Sequence, residues 1–208
     1  MYIIGVTGGV GAGKSAVLDY LQEAHGAVIV RLDDVSRSLL DVSGRCYSDA
    51  VRLFGDAVVR EDGTLDRPMI ADRIFSDEGA RKALDDLIHP AVKEETLRLI
   101  EEGRARGCGL FVIEAALLIE DNYDAICDEM WYIYADADTR CRRLASSRGY
   151  SAERIRGTMA GQLSDEAFRA HTDLVIDNSG EFDRTKRLID ERIRAIAALK
   201  AEEDPENQ

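Results

Sequence analysis

The chain is short of positive charge. Its 208 residues include 27 Lys and Arg against 40 Asp and Glu, a formal charge of −13 at pH 7. So acidic a surface excludes general binding to nucleic acid or to anionic membrane, because both need a positive face. Long hydrophobic runs are missing too, and nothing approaches the ~20 apolar residues of a membrane span. The N-terminus lacks a basic region followed by an apolar stretch and a cleavage site, so no secretory signal is expected. The four cysteines, Cys46, Cys108, Cys127 and Cys141, form no C-x-x-C pair, which argues against a zinc or redox motif. Their scatter fits reduced thiols in a cytoplasmic protein, acting as small hydrophobes. There is no Pro/Gly/Ser-rich linker, internal repeat or low-complexity tract.

What is present reads as globular. Hydrophobic residues make up 45% and charged residues 32%, outside the disordered range. The length suits one domain, 1–208, with room for an inserted lid. Five short apolar runs recur: Tyr2–Val6, Ala27–Val30, Leu110–Ile113, Met130–Tyr134 and Leu174–Ile176. Each is continuous rather than alternating, the pattern of strands buried on both faces of a parallel sheet. Helical spacing fills the gaps, with Val17, Leu18 and Leu21 after the first run. Ile189, Ile193, Ile196 and Ala197 form a stripe near the end. Strands alternating with helices make an α/β fold. Residues 35–107 exceed a simple crossover and read as a helical, acceptor-binding insertion with turns at Ser43-Gly44 and Glu61-Asp62-Gly63. Residues 140–172 are arginine-rich and helical and read as a lid. The acidic tail from Ala201 is expected to fray.

Gly8-Gly9-Val10-Gly11-Ala12-Gly13-Lys14-Ser15 satisfies G-x-x-x-x-G-K-[ST] between a predicted strand and a predicted helix. Glycines let the loop wrap a phosphate closely, with backbone N–H groups turned inward at a helix N-terminus. Gly9, Gly11, Ala12, Gly13, Lys14, Ser15 and Ala16 are therefore candidate ATP-binding residues. Lys14 reaches the β- and γ-phosphates, and the Ser15 hydroxyl ligates Mg²⁺. Local amide dipoles and one lysine thus let an acidic protein hold a polyanion.

Ligands of α/β sheets bind beyond the carboxyl ends of strands. The second strand ends in Arg31-Leu32-Asp33-Asp34, which puts a carboxylate where it can take a proton from, or orient, an attacking hydroxyl. Position alone does not separate Asp33 from Asp34, and one of them could instead cap a helix over Val35–Leu40. Glu114 closes the third strand, where an acid holds the Mg²⁺ shell. Glu120 lies further along the same face. Arg140, Arg142, Arg143, Arg148, Arg154 and Arg156 crowd one segment of the acidic chain. Arginine grips phosphate oxygens bidentately, so the cluster as a whole suits a phosphate-closing lid, while for any one member a solvated helix face is the better reading.

Several further segments resemble the dephospho-coenzyme A kinase family over nearly the whole chain. They are Gly5-Val6-Thr7-Gly8-Gly9, Phe54-Gly55, Gly63-Thr64-Leu65-Asp66-Arg67, Ile74-Phe75-Ser76, His89-Pro90, Leu117-Leu118-Ile119-Glu120, Arg143-Leu144, Gln162, and Asp173 with Val175 through Gly180. The resemblance implies a phosphate-loop NTPase fold of the nucleoside-kinase type, a three-layer α/β/α sandwich on a five-stranded parallel sheet. It implies transfer of the ATP γ-phosphoryl to the 3′-hydroxyl of dephospho-coenzyme A, a small-molecule substrate, by a monomer or small homo-oligomer. It favours Asp33 as base and Arg37, His89 and Leu117 as substrate residues. Arg143 and Arg148 become catalytic candidates, with Asn178 and Gly180 beside the adenine. For His89 the structural alternative is that Pro90 opens a helix at its first position.

The chain departs from the family pattern at Arg31, Ala116, Ser147, Thr158 and Phe168, the last at a position usually held by lysine. Two other readings therefore stand beside the first: a related kinase with another acceptor, and a nucleotide-binding regulatory protein without turnover.

Overall fold

A computed structural model of the protein describes residues 1–203. Ala201 to Glu203 continue the last helix rather than fraying, and the rest of the acidic tail lies outside the described residues. The strands are β1 (Tyr2–Thr7), β2 (Val28–Arg31), β3 (Leu110–Glu114), β4 (Glu129–Tyr134) and β5 (Leu174–Asp177). They form one parallel sheet in the order β2-β3-β1-β4-β5. Each lies within a residue or two of its apolar run. Tyr2 pairs with Leu110 in one direction and Ile4 with Glu129 in the other, so β1 sits between β3 and β4. A strand with crossovers leaving to both sides opens a crevice at its carboxyl end.

The chain divides into two compact units. One comprises residues 1–29 and 109–208, the other Val30–Cys108. In the first unit, helices α1 (Lys14–His25) and the long C-terminal helix α9 (Phe182–Glu203) cover one sheet face. Ile4, Val6, Val112, Trp131, Ile133 and Ile176 point into that layer and meet Val17, Leu18, Leu21, Ile189 and Ile196. Ile193 packs at its edge, whereas Ala197, expected in the stripe, is exposed. On the opposite face Ile3, Phe111, Ile113 and Tyr132 are also buried, which is why the strands read as unbroken apolar runs. Between β4 and β5 the arginine-rich segment folds into α6 (Ala137–Arg148), α7 (Ala152–Ala160) and α8 (Asp165–Ala170). Asp136, Ser151 and Ser164 cap them through their side chains. Phe168 of α8 is buried and stacks on Tyr132, ring centroids 4.6 Å apart.

The second unit is helical: α2 (Leu32–Leu39), α3 (Tyr47–Phe54), α4 (Arg67–Ser76) and the 28-residue α5 (Glu78–Ala105). Ala50, Phe54, Val58, Leu65 and Ile70 form its own small core, and α2, α3 and α4 all pack on α5.

Two expectations fail in this unit. The helix expected over Val35–Leu40 begins at Leu32, and its N-cap is Arg31. Neither Asp33 nor Asp34 caps it; both lie inside its first turn. Leu32, Val35 and Leu39 are all buried, so the apolar face starts one turn earlier than the aspartates suggested. Pro90 does not open a helix either. It lies in the interior of α5. The buried stripe Ile88, Val92, Thr96, Ile100 crosses it at four-residue steps, and that packing outweighs the ~3 kcal/mol propensity cost of an internal proline.

Candidate active site

The loop between β1 and α1 follows the sequence motif residue for residue. Gly8, Gly11 and Gly13 have φ of 144°, 83° and 90°, a region closed to most side chains. At Gly8 a Cβ would strike the Ile133 carbonyl, and at Gly13 the Asn178 side chain. These glycines are therefore fixed both by dihedral and by close approach.

The loop's carbonyls are bound both by the loop's own donors and from outside it. Lys14 Nζ donates to Gly8 O at 2.8 Å, and the Ala12 amide to Gly9 O at 3.1 Å. Arg140 Nε donates to Val10 O at 2.9 Å. Arg143 Nη1 reaches Ala12 O at 3.1 Å, and its Nη2 reaches Asn178 O at 2.8 Å. Asn178 Nδ2 donates to Ala12 O at 2.8 Å. With carbonyls turned outward, the amides leading into α1 are presented as a nest, because the first N–H groups of a helix have no intrahelical acceptor. Ser15 and Ala16 are exposed at that end. Lys14 Nζ also lies 3.6 Å from Glu114 Oε1, both side chains being largely buried. Glu114 is the last residue of β3, so this carboxylate stands beside the loop lysine.

The family model for dephospho-CoA kinase matches residues 2–184. The chain belongs to the dephospho-CoA kinase family. A dephospho-CoA kinase of Symbiobacterium thermophilum is 37% identical over 195 residues, 94% of this chain and 81% of that protein. A solved structure from Thermus thermophilus superposes with a TM-score of 0.77 at 30% identity, covering 93% of this chain and 97% of the other. The dephospho-CoA kinase of Campylobacter jejuni has the same fold, with a TM-score of 0.71 at 18% identity over 95% of this chain and 98% of its own.

In this dephospho-CoA kinase family member the expected site residues are not all engaged alike. Within the first unit, Gly9 to Ser15, Glu114, Arg143 and Asn178 come together. Asn178 is 2% exposed, and both ends of its amide are engaged: Nδ2 donates to Ala12 O, and Oδ1 accepts from Thr185 at 3.0 Å. Its side chain supports the loop, and the following residues Ser179, Gly180 and Glu181 border the adjoining cavity with Thr139, Arg142, Arg143 and Ser146. Arg148 does not reach the loop. It is exposed and lies over the Tyr150 ring, and its hydrogen bond lowers the Tyr150 hydroxyl pKa below its ordinary value, with Arg154 adding to the effect. Leu117, after β3, is 49% exposed. Phe168 is core. With Asp165 nearby, burial pushes the Tyr132 hydroxyl up to about 12.

In the second unit Asp33 and Arg37 are exposed on α2. Arg37 Nη1 bonds Asp34 Oδ1 at 2.6 Å, which occupies Asp34 and distinguishes it from Asp33. His89 is half-exposed, its Nε2 3.8 Å from Asp85 Oδ1 one turn earlier.

Gln162 went unassigned in the sequence, and nothing there separated Arg140 from its cluster. The spacing held the clue: Arg140 and Arg143 are three apart and share one helix face, the face that meets the loop.

Proposed function

We propose that this protein transfers the γ-phosphoryl group of ATP to the ribose 3′-hydroxyl of dephospho-CoA. The observation that carries the reading is the family match over residues 2–184, joined to a phosphate loop whose carbonyls are bound from behind.

Asp33 takes the proton from the 3′-hydroxyl. The hydroxyl oxygen then bonds the γ-phosphorus as the bond to the β–γ bridging oxygen breaks, and ADP leaves. Arg37 exchanges its exposed partner Asp34 for an anionic group of the acceptor, and His89 and Leu117 are further residues for acceptor contact. The loop amides and Lys14 hold the phosphates, and Lys14 then follows the charge that builds on the transferring group. Arg143 keeps the loop in shape, and the backbone at Ser179 and Gly180 borders the base.

Magnesium suits the residues present. A hydroxyl, Ser15, and a carboxylate, Glu114, are hard oxygen donors. No group of three or more His, Cys, Asp or Glu able to hold a metal occurs among the described residues. That sparse donor set fits an ion that keeps several waters and takes its other oxygens from phosphates. When bound, the ion neutralises phosphate charge.

No helix among the described residues is long and apolar enough to cross a membrane. Incubation with Mg-ATP and a panel of acceptors, read by mass, tests the function. Coenzyme A is the expected product. Phosphorylation of another acceptor instead, or ATP binding without turnover, overturns it.

A further inference from the structure

One residue of the phosphate loop, Val10, is held at both its backbone N–H and its carbonyl by side chains that the reaction above does not use. Gln162 Oε1 accepts from the Val10 N–H at 3.2 Å, and Arg140 Nε donates to the Val10 carbonyl at 2.9 Å. Arg140 Nη2 donates in turn to Gln162 Oε1. The three groups close a ring of hydrogen bonds. Because each peptide unit is planar, holding both the donor and the acceptor of Val10 fixes the peptide planes on either side of it. Rotation of this part of the loop would break these bonds together. The Arg140 guanidinium also fills the space a Cβ on Gly9 would need, so the ring presses on two successive loop residues. Arg140 is on α6, and Gln162 lies between α7 and α8, so two separate parts of the arginine-rich segment are tied to one loop residue.

We propose that Gln162 is a positioning residue for phosphate transfer: acting through Arg140 and the Val10 peptide, it holds the loop in the shape that receives the ATP phosphates. A glutamine suits this task. Its amide oxygen serves two N–H donors at once. A leucine of similar size would leave the Val10 N–H and one Arg140 N–H without their acceptor, and such unmet donors are costly where water is scarce.

The inference rests on the ATP-kinase reading, so its test includes ATP binding without any acceptor. Wild type, Gln162→Leu, Gln162→Glu, Arg140→Lys and the double variant Gln162→Leu/Arg140→Lys are compared by calorimetric titration with ATP, by steady-state kinetics and by thermal melting. Gln162→Leu is expected to weaken ATP binding and raise the KM for ATP about 10-fold, with the KM for dephospho-CoA unchanged. Gln162→Glu, whose carboxylate accepts the same two bonds, recovers most of the loss. The double variant is expected to be no worse than the poorer single, as for groups acting as one unit. Wild-type ATP affinity in Gln162→Leu overturns the proposal, as does a Gln162→Glu variant as weak as the leucine, or losses that simply add. If Gln162→Leu melts below the assay temperature, Arg140→Lys decides. A lysine cannot serve Val10 O and Gln162 together, so weaker ATP binding supports the ring and unchanged binding refutes it. If wild type binds ATP but leaves dephospho-CoA unphosphorylated, the acceptor assignment fails while the titrations still decide the ring.

Discussion

The arginines that hold the phosphate loop and those on the exposed helix faces of the helical unit end on different partners. Beside the phosphate loop, Arg140 and Arg143 donate to backbone carbonyls of Val10, Ala12 and Asn178. In the helical unit, Arg37, Arg81 and Arg98 end on carboxylates of their own helices, at Asp34, Glu78, Glu95 and Glu102. A bond to a loop carbonyl fixes backbone geometry. An exposed pair three or four residues apart on a helix is worth little and is readily exchanged. The first kind of arginine shapes a site in advance, and the second leaves a cation ready for an incoming anion.

The largest effect should come from the cation among the loop's own residues. Lys14→Ala is expected to lower kcat at least about 10³-fold, since the charge on the transferring phosphoryl is left unmet. A fully active variant would contradict the loop assignment. Asp33→Asn should follow, with kcat down about 10²-fold or more and calorimetric ATP affinity unchanged. Asp34→Asn should be milder, because Asp34 already serves Arg37. A larger loss at Asp34 would move the base by one residue. Arg143→Ala and Arg37→Ala test the comparison directly. The former should weaken ATP binding about 10-fold through a loosened loop, and the latter should raise only the KM of the acceptor. If both act on ATP, the division between shaping and exchangeable arginines fails. The smallest effect is expected at Arg98→Ala, where thermal melting should not move measurably, although the residue makes bonds to two glutamates.

The fold was easier to read in the phosphate-loop unit than in the helical one, and the reason is physical. Strands buried on both faces must be apolar throughout, so β1, β3 and β4 announced themselves, the edge strands β2 and β5 showed as shorter apolar runs, and the glycine spacing located the loop. In the helical unit the same residues carry two signals that conflict. Asp33 and Asp34 resemble a cap, yet Leu32 already belongs to the buried face. Pro90 resembles a helix start, yet the stripe from Ile88 to Ile100 passes straight through it. Local propensity gave way to packing in both places. At the site, the motif residues were legible, but the supporting bonds were not. That Asn178 is consumed by Ala12 and Thr185, or that Arg148 turns to Tyr150, depends on side chains brought together from distant parts of the chain.

Pro90 has a consequence for how the helical unit assembles. It removes a hydrogen bond near the middle of α5 and leaves stretches close to the about 12–15 residues at which isolated helices are marginal in water. Neither half can be expected to persist ahead of its neighbours. Because α2, α3 and α4 all rest on this helix, the helix and its three partners must condense together, so the unit should gain its protection against amide exchange in a single cooperative step rather than helix by helix.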